Sequence, residues 1–195
     1  MSQTAPREED NIVRDFLSIA DLLEETQLAR IYTHIYCEDE ATVGELIDAL
    51  EISQGTAYTY VNQLVDAGVL TSTSDTQPQR YTAIDIELTL TADNKREYTI
   101  SPALVAAVAR RATNETIDSY IDRRGIHGLA TALTHTLARE QGETTHRLVA
   151  EDLDMSPLEA EVILQALRPI VHEHFALEDS GASLADVVDA ENLDE

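Results

Sequence analysis

Between Gln54 and Gln63 the chain reads QGTAYTYVNQ, and its hydroxyls and amides recur at spacings that a helix would gather on one side. At about 100° per residue, Gly55, Thr56, Thr59, Asn62, Gln63 and Asp66 share the face opposite Ala57, Val61, Leu64 and Val65, with Gln54 and Tyr58 flanking it near the N-terminal end. Short hydroxyls and amides are the groups that reach base edges or phosphates in a major groove. Gly55 would let the free N–H groups of the helix N-terminus come close to a phosphate. The plainer alternative is a neutral, solvated helix face. Against it, residues 52–84 hold only two carboxylates, Asp66 and Asp75, where the average composition would place about six. The depletion is not unique, since residues 98–114 are also free of acid.

The elements that would position this face are legible on either side of it. Thr42 followed by Glu45 is a capping box, each side chain satisfying the other's orphan backbone donor. Leu46, Ile47 and Leu50 give a short helix one apolar stripe. Glu51-Ile52-Ser53 is a link of the length found in helix-turn-helix units, and Ser53 is placed to cap the second helix. Gly68 is a left-handed stop after it. Val69 to Ser74 then reads as a strand, Asp75-Thr76-Gln77-Pro78 as a turn, and the chain is extended again from Arg80.

In this order the segment resembles the winged-helix domains of archaeal and bacterial regulators of the ArsR, MarR and TrmB kind. The run ISQGTAYTYVNQLVDAGVL is similar to their recognition helix and first wing strand, and the resemblance spans roughly residues 26 to 86. It implies operator binding by the second helix, carried onto Gln54, Thr56, Tyr58, Thr59, Asn62 and Gln63, with wing contacts up to Arg80. The chain departs from the common pattern in having no Lys or Arg on that helix. Direct guanine reading by the helix is not implied for that reason.

Composition accounts for part of the departure. There are 37 acidic residues against 13 basic ones, a formal charge of −24, and Lys95 is the only lysine. Two Phe and no Trp accompany abundant Ala and Thr. The composition resembles that of proteins from salt-accumulating halophiles, haloarchaea in particular, where a dense carboxylate surface stays hydrated. A competing reading is that the acidity mimics DNA or binds a basic partner. At 1 M salt the Debye length is only about 3 Å, so a net charge of this sign is a weak argument against DNA binding there. The counterion-release contribution shrinks as well.

The N-terminal MSQTAPREED is polar and acidic, unlike a signal sequence, and the longest apolar run, Ala103 to Ala109, is too short to span a bilayer. The single cysteine, Cys37, precludes an intramolecular disulfide and fits a cytoplasmic location. Residues 1–9 read as disordered. Ile12, Phe16, Ile19, Ala20 and Leu23 predict an amphipathic helix, and Thr26 is the expected cap of the next, with Leu28, Ile31, Tyr32 and Ile35 facing in. Beyond the wing, Ile84, Ile86, Leu88 and Leu90 alternate with polar or small residues as in a half-buried strand, Asp93-Asn94 turns the chain, and Glu97 to Ile100 pairs back. Ser101-Pro102 opens a helical second half with helices near 102–112, 114–123, 126–140, 146–152 and 157–168, and a further turn or two to Phe175. The last eighteen residues carry seven carboxylates and no basic residue, the pattern of a frayed tail with a short helix after Ser183.

Ala130, Ala132, Thr134 and Thr136 around Leu129, Leu133 and Leu137 mark 126–139 as a close-packing helix, in the core or at a dimer seam. A shift of 103 lays LVAEDLDMSPLEAEVILQAL over ELIDALEISQGTAYTYVNQL without a gap. A second helix-turn-helix is therefore plausible as a shape. Its outward positions would carry Glu159, Val162, Ala166 and Pro169 and no wing follows, so a scaffold or dimerisation role fits better than DNA reading.

No Gly-rich phosphate loop, nucleophile elbow or paired metal-ligand motif occurs. His172 and His174 point about 200° apart on a helix, and His127 and His135 read as surface or core histidines. Acidic neighbours disfavour a Cys37 thiolate. Arg110-Arg111 and Arg123-Arg124 read mainly as ion-pair partners, with phosphate contact the minor reading.

The resulting expectation is an α+β, mostly α, chain, a winged helix-turn-helix with a β-hairpin extension followed by a helical domain: a disordered stretch at 1–9, an N-terminal helix plus the winged helix-turn-helix at 10–91, a mainly helical dimerisation or regulatory domain at 92–177, and an acidic tail at 178–195. The expected function is a homodimeric, sequence-specific reader of double-stranded DNA, with no enzymatic activity, cofactor, metal or membrane, and no effector ligand named. The alternative is a winged-helix adaptor that binds a protein rather than DNA. The DNA-binding set is Gln54, Gly55, Thr56, Tyr58, Thr59, Asn62, Gln63 and Arg80.

Overall fold

A local side-chain hydrogen bond sets the start of each of the three helices between Thr26 and Asp66. The computed structural model describes residues 19–73, 77–92 and 96–175, and the expectations for residues 1–18, the wing tip, the Asp93-Asn94 turn and the acidic tail lie outside them. Residues 19–24 are helical (α1). Glu25 is extended (φ −102°, ψ 102°) and its carboxylate accepts from the Gln27 N–H, so Glu25 and not Thr26 caps α2 (Thr26–Cys37). The Glu25 N–H still donates to the Asp21 carbonyl. One residue thus ends α1 and begins α2, which draws Thr26 inside the helix.

After α2 comes the two-residue strand β1 (Ala41–Thr42), and the Thr42–Glu45 capping box opens α3 (Val43–Leu50): the Thr42 hydroxyl accepts from the Glu45 N–H at 3.2 Å and the Glu45 carboxylate accepts from the Thr42 N–H at 2.7 Å. Glu51 takes a left-handed conformation (φ 54°), and Ser53 caps α4 (Gln54–Asp66) as expected. Gly68 (φ 75°) reverses the chain into β2 (Leu70–Ser72) and then β3 (Arg80–Ala83). The three strands form an antiparallel sheet in the order β1-β3-β2, with Thr42 opposite Arg80 and Leu70 opposite Ala83.

The strand expected over Ile84–Leu90 is not continuous. The Ile84 N–H donates to the Val69 carbonyl and its own carbonyl accepts from the Tyr32 hydroxyl at 2.7 Å, after which residues 85–87 have no ladder. The reason is the length of the partner: beyond Val69 the chain belongs to the end of α4, so no strand remains to pair with. Ile86 is buried while Ile84 is exposed. Pairing resumes in the hairpin of β4 (Leu88–Ala92) and β5 (Arg96–Ile100), with Leu88 opposite Ile100.

Ser101 caps α5 (Pro102–Ala109), and all eight of its residues are buried. A helix apolar on every side has to lie inside, and α5 packs against α2, α6 and α8. A 3-10 turn at Arg110–Ala112 leads to α6 (Glu115–Glu140), which breaks at Gly125 (φ 69°, ψ −179°) into the two expected helical stretches. The helices α7 (His146–Asp152) and α8 (Pro157–His174) complete the described chain. The last runs unbroken through Pro169, since the bond that proline removes is that of the Gln165 carbonyl, on the exposed side where water can replace it. One apolar cluster extends from Leu22 to Val171, joining the winged part to the helices. Leu129, Ala130, Ala132, Leu133 and Thr136 are buried, and the second stretch of α6 packs on α8, so this helix is core. The buried Thr136 hydroxyl donates to the Ala132 carbonyl at 2.7 Å and so carries no unmet donor.

Candidate nucleic-acid interface

The helices α2, α3 and α4 with the β1-β3-β2 sheet form a winged helix-turn-helix, and α4 occupies the recognition position. Ala57, Val61 and Leu64 anchor it to the core, which fixes the opposite face outward. Gln54, Gly55, Tyr58, Thr59, Asn62 and Gln63 are all exposed, and Thr56 is half-buried. Seven of the eight candidate residues therefore lie on one helix, six of them open to solvent. Tyr58 is 48% exposed, high for an aromatic side chain, so its ring is not held by the core.

The hydroxyls on this face are partly committed. Thr59 donates to the Gly55 carbonyl at 2.8 Å, and the Thr56 and Ser53 hydroxyls share a hydrogen bond of 2.8 Å. In that state the Thr59 oxygen can still accept from an exocyclic amine, but it cannot donate without rotating. Asn62 offers a donor and an acceptor together, the pair that matches adenine in the major groove. A Cβ built on Gly55 would meet nothing within 4 Å, so none of the described residues fills the space beside it.

Arg80 sits on β3, away from the other seven, and its guanidinium is held by Glu40 (3.1 Å) and Glu45 (3.4 Å). Hydrogen bonds from the Thr42 backbone and hydroxyl, with Arg80 adding, hold the Glu45 carboxyl below the usual carboxylate range. A phosphate would have to compete with two carboxylates for this arginine. Gln63 borders a shallow cleft with Asp21, Glu24 and Glu25, so the reading face is flanked by acid on the α1 side. Neither neighbour was legible from local spacing, because both belong to other elements.

Glu25 and Glu45 illustrate acids used as caps; the arginine pairs of the second half are used as ties. Arg110 pairs with Glu173 at 2.8 Å, Arg111 with Asp118 and Asp122, and Arg123 with Glu159 at 3.4 Å, while Arg124 donates to the Asp154 carbonyl. The ion-pair reading of these residues holds for three of the four. Cys37 donates to Glu173 at 3.3 Å. Partial burial of its sulfur and then that hydrogen bond push the thiol up to about 12, although the residue as a whole is exposed. Among the described residues, no group of three or more His, Cys, Asp or Glu could hold a metal, and no helix is long and apolar enough to cross a membrane.

The helix-turn-helix geometry occurs twice. Asp154 is left-handed (φ 49°) where Glu51 is (φ 54°), and Ser156 caps α8 at φ −69°, ψ 150° where Ser53 caps α4 at φ −68°, ψ 151°. Val149, Ala160, Leu164 and Leu167 are buried at the positions of Leu46, Ala57, Val61 and Leu64. The outward faces differ: Leu158 and Val162 stand where Gly55 and Thr59 stand in the first unit.

Residues 25–87 match the family model described as sugar-specific transcriptional regulator TrmB. Residues 111–176 match a family of unknown function, DUF7437. The first match supports, at the level of the family, a transcription regulator that binds DNA. No curated protein and no solved structure matches the chain.

Proposed function

We propose that this chain is a sequence-specific, double-stranded DNA-binding transcription regulator that acts as a homodimer in a high-salt cytoplasm. The observation that carries the reading is the exposed face of α4, where Gly55, Tyr58, Thr59 and Asn62 stand free of the core on a capped recognition helix. The family match over residues 25–87 supports it. Base contacts come from Gln54, Thr56, Tyr58, Thr59, Asn62 and Gln63, phosphate approach from Gly55, and a wing contact from Arg80. Residues 10–91 form the reading domain, and residues 92–177 serve dimerisation and regulation. Two-fold symmetry suits a palindromic operator, with the N-terminal segment Ile12–Leu23 and the helical second half supplying the contacts and the wings pointing away from the axis. Enzymatic activity and a cofactor are not part of this reading.

The test is selection of binding sites from a random duplex pool in molar KCl, followed by light scattering of the protein alone. Enrichment of an inverted repeat and a mass of twice 21.5 kDa are expected. No enrichment, or a chain that stays at 21.5 kDa at micromolar concentration, overturns the corresponding half of the proposal.

A second reading, a winged-helix adaptor that docks a protein, is favoured by one observation. The arginine nearest the wing is already paired with Glu40 and Glu45, and α4 carries no basic residue. It moves ahead if the selection fails while the protein is folded.

A further inference from the structure

The second helix-turn-helix turns an apolar face to solvent. Five large hydrophobic residues are exposed in the described chain, and three of them, Leu148, Leu158 and Val162, belong to α7 and α8. Leu158 is 74% exposed at the first turn of α8. Beside it, a groove of about 210 Å³ runs between α8 and the first stretch of α6, lined by Tyr120, Arg123, Arg124, Met155, Leu158 and Val162 among others. An exposed cluster of this kind on an otherwise acidic surface marks an interaction site.

Two arginines, Arg123 and Arg124, stand on the lip of the groove against one carboxylate, Glu159, in a chain with only 13 basic residues. Arg110, Arg139 and Arg168 are each held by a carboxylate at 2.9 Å or less. By contrast, Arg123 is 61% exposed and touches Glu159 only at 3.4 Å, and Arg124 donates to a backbone carbonyl. An occupant that fits is therefore apolar on one side and acidic on the other. Residues 176–195 of the same chain have that pattern. They carry seven carboxylates and no Lys or Arg, and Leu184, Val187 and Val188 fall at i, i+3 and i+4 with Asp186 and Asp189 beside them.

We infer that residues 184–193 dock as an acidic amphipathic helix in this groove of their own chain, with Leu184, Val187 and Val188 against Leu158 and Val162 and the acids toward Arg123 and Arg124. The reach is sufficient. From His174 back to Val162 and Leu158 along α8 is about 18–24 Å at 1.5 Å per residue. The eight residues 176–183 span up to about 26–29 Å when extended. A tether this short supplies a millimolar effective concentration, which favours docking within one chain over docking between copies. The role does not depend on whether α4 reads DNA.

The test uses the full chain in a Cys37→Ser background carrying Val162→Cys and Val187→Cys, oxidised in molar KCl and followed by intact mass and thiol count. A disulfide within one chain is expected to close readily. Adding Leu184→Asp and Val188→Asp, which leaves the folded body untouched, should slow closure about tenfold through loss of apolar contact. Arg123→Glu with Arg124→Glu should slow it as well, more at lower salt within the range where circular dichroism shows the protein folded. Closure at the same rate with and without the tail substitutions would show a free tether and overturn the inference. So would failure to close, or a disulfide that joins two copies, which would make a second chain the occupant.

Discussion

Glu51 and Asp154 occupy the same left-handed corner of two helix-turn-helix units, at φ 54° and φ 49°, 103 residues apart in the sequence. Neither is glycine, although only glycine enters this region without a steric cost. Acidic side chains thus replace the residue that the backbone favours, in a chain with 37 acidic residues against 13 basic ones.

Replacing Glu51 by Gly is expected to be neutral or to stabilise the fold by up to about 1 kcal/mol, while Glu51→Val should destabilise it by about 1–2 kcal/mol through left-handed strain. The same pair of changes at Asp154 should follow the same order. Thermal melts in molar KCl decide this; a Val variant as stable as the parent would show that the corner is not held left-handed.

On the reading face, Asn62→Ala should cost more than Thr59→Ala, within a range of about 1–3 kcal/mol at a specific site. The Thr59 donor is already spent on the Gly55 carbonyl, whereas the Asn62 amide is exposed and has no hydrogen-bond partner among the described residues. Both variants should keep the parent's melting temperature. If the double variant protects the operator at parental concentration, α4 is not the reader.

Arg80 gives a prediction of opposite sign to the usual loss. Arg80→Ala should weaken DNA binding about equally across sequences, as a phosphate contact does. Glu40→Gln removes one of its two competitors and should tighten binding about two- to fivefold. Titrations of specific and scrambled duplexes read both effects, and a Glu40→Gln variant that binds no better leaves Arg80 as a purely structural tie.

His174 predicts a pH dependence. Its ring stacks on Tyr36 at 5.7 Å, its Nε2 is buried without a hydrogen-bond partner among the described residues, and burial holds its pKa below the ordinary 6.5. The unfolded chain therefore binds the proton more readily, so this contribution is complete above about pH 6.5 and is lost as pH falls through the lower folded value. Melting temperature measured from pH 8 to pH 5 should fall, and His174→Phe should flatten the profile in that window. An unchanged slope in the variant would assign the pH dependence to the carboxylates.

Cooperative folding should require molar KCl or NaCl, because screening must offset repulsion among 37 carboxylates. Full cooperativity by circular dichroism at about 50 mM salt would remove the high-salt reading.

The sequence alone determined what depends on neighbours a few residues away. The Thr42–Glu45 box, the Ser53, Ser101 and Ser156 caps, the Gly68 reversal and the inward set Leu28, Ile31, Tyr32 and Ile35 are local events, and their residue types announce them. The outward face of α4 follows from the same helical period. Tertiary structure decided whatever depends on an element far along the chain. The break after Ile84 comes from the end of β2 and the Tyr32 hydroxyl, 52 positions away. Arg80 is claimed by Glu40 and Glu45 because β3 pairs with β1, and the groove under Leu158 exists only because α8 folds against α6. Periodicity reports which side of an element is apolar; it carries no information about which distant side chain, or which vacancy, that element will meet.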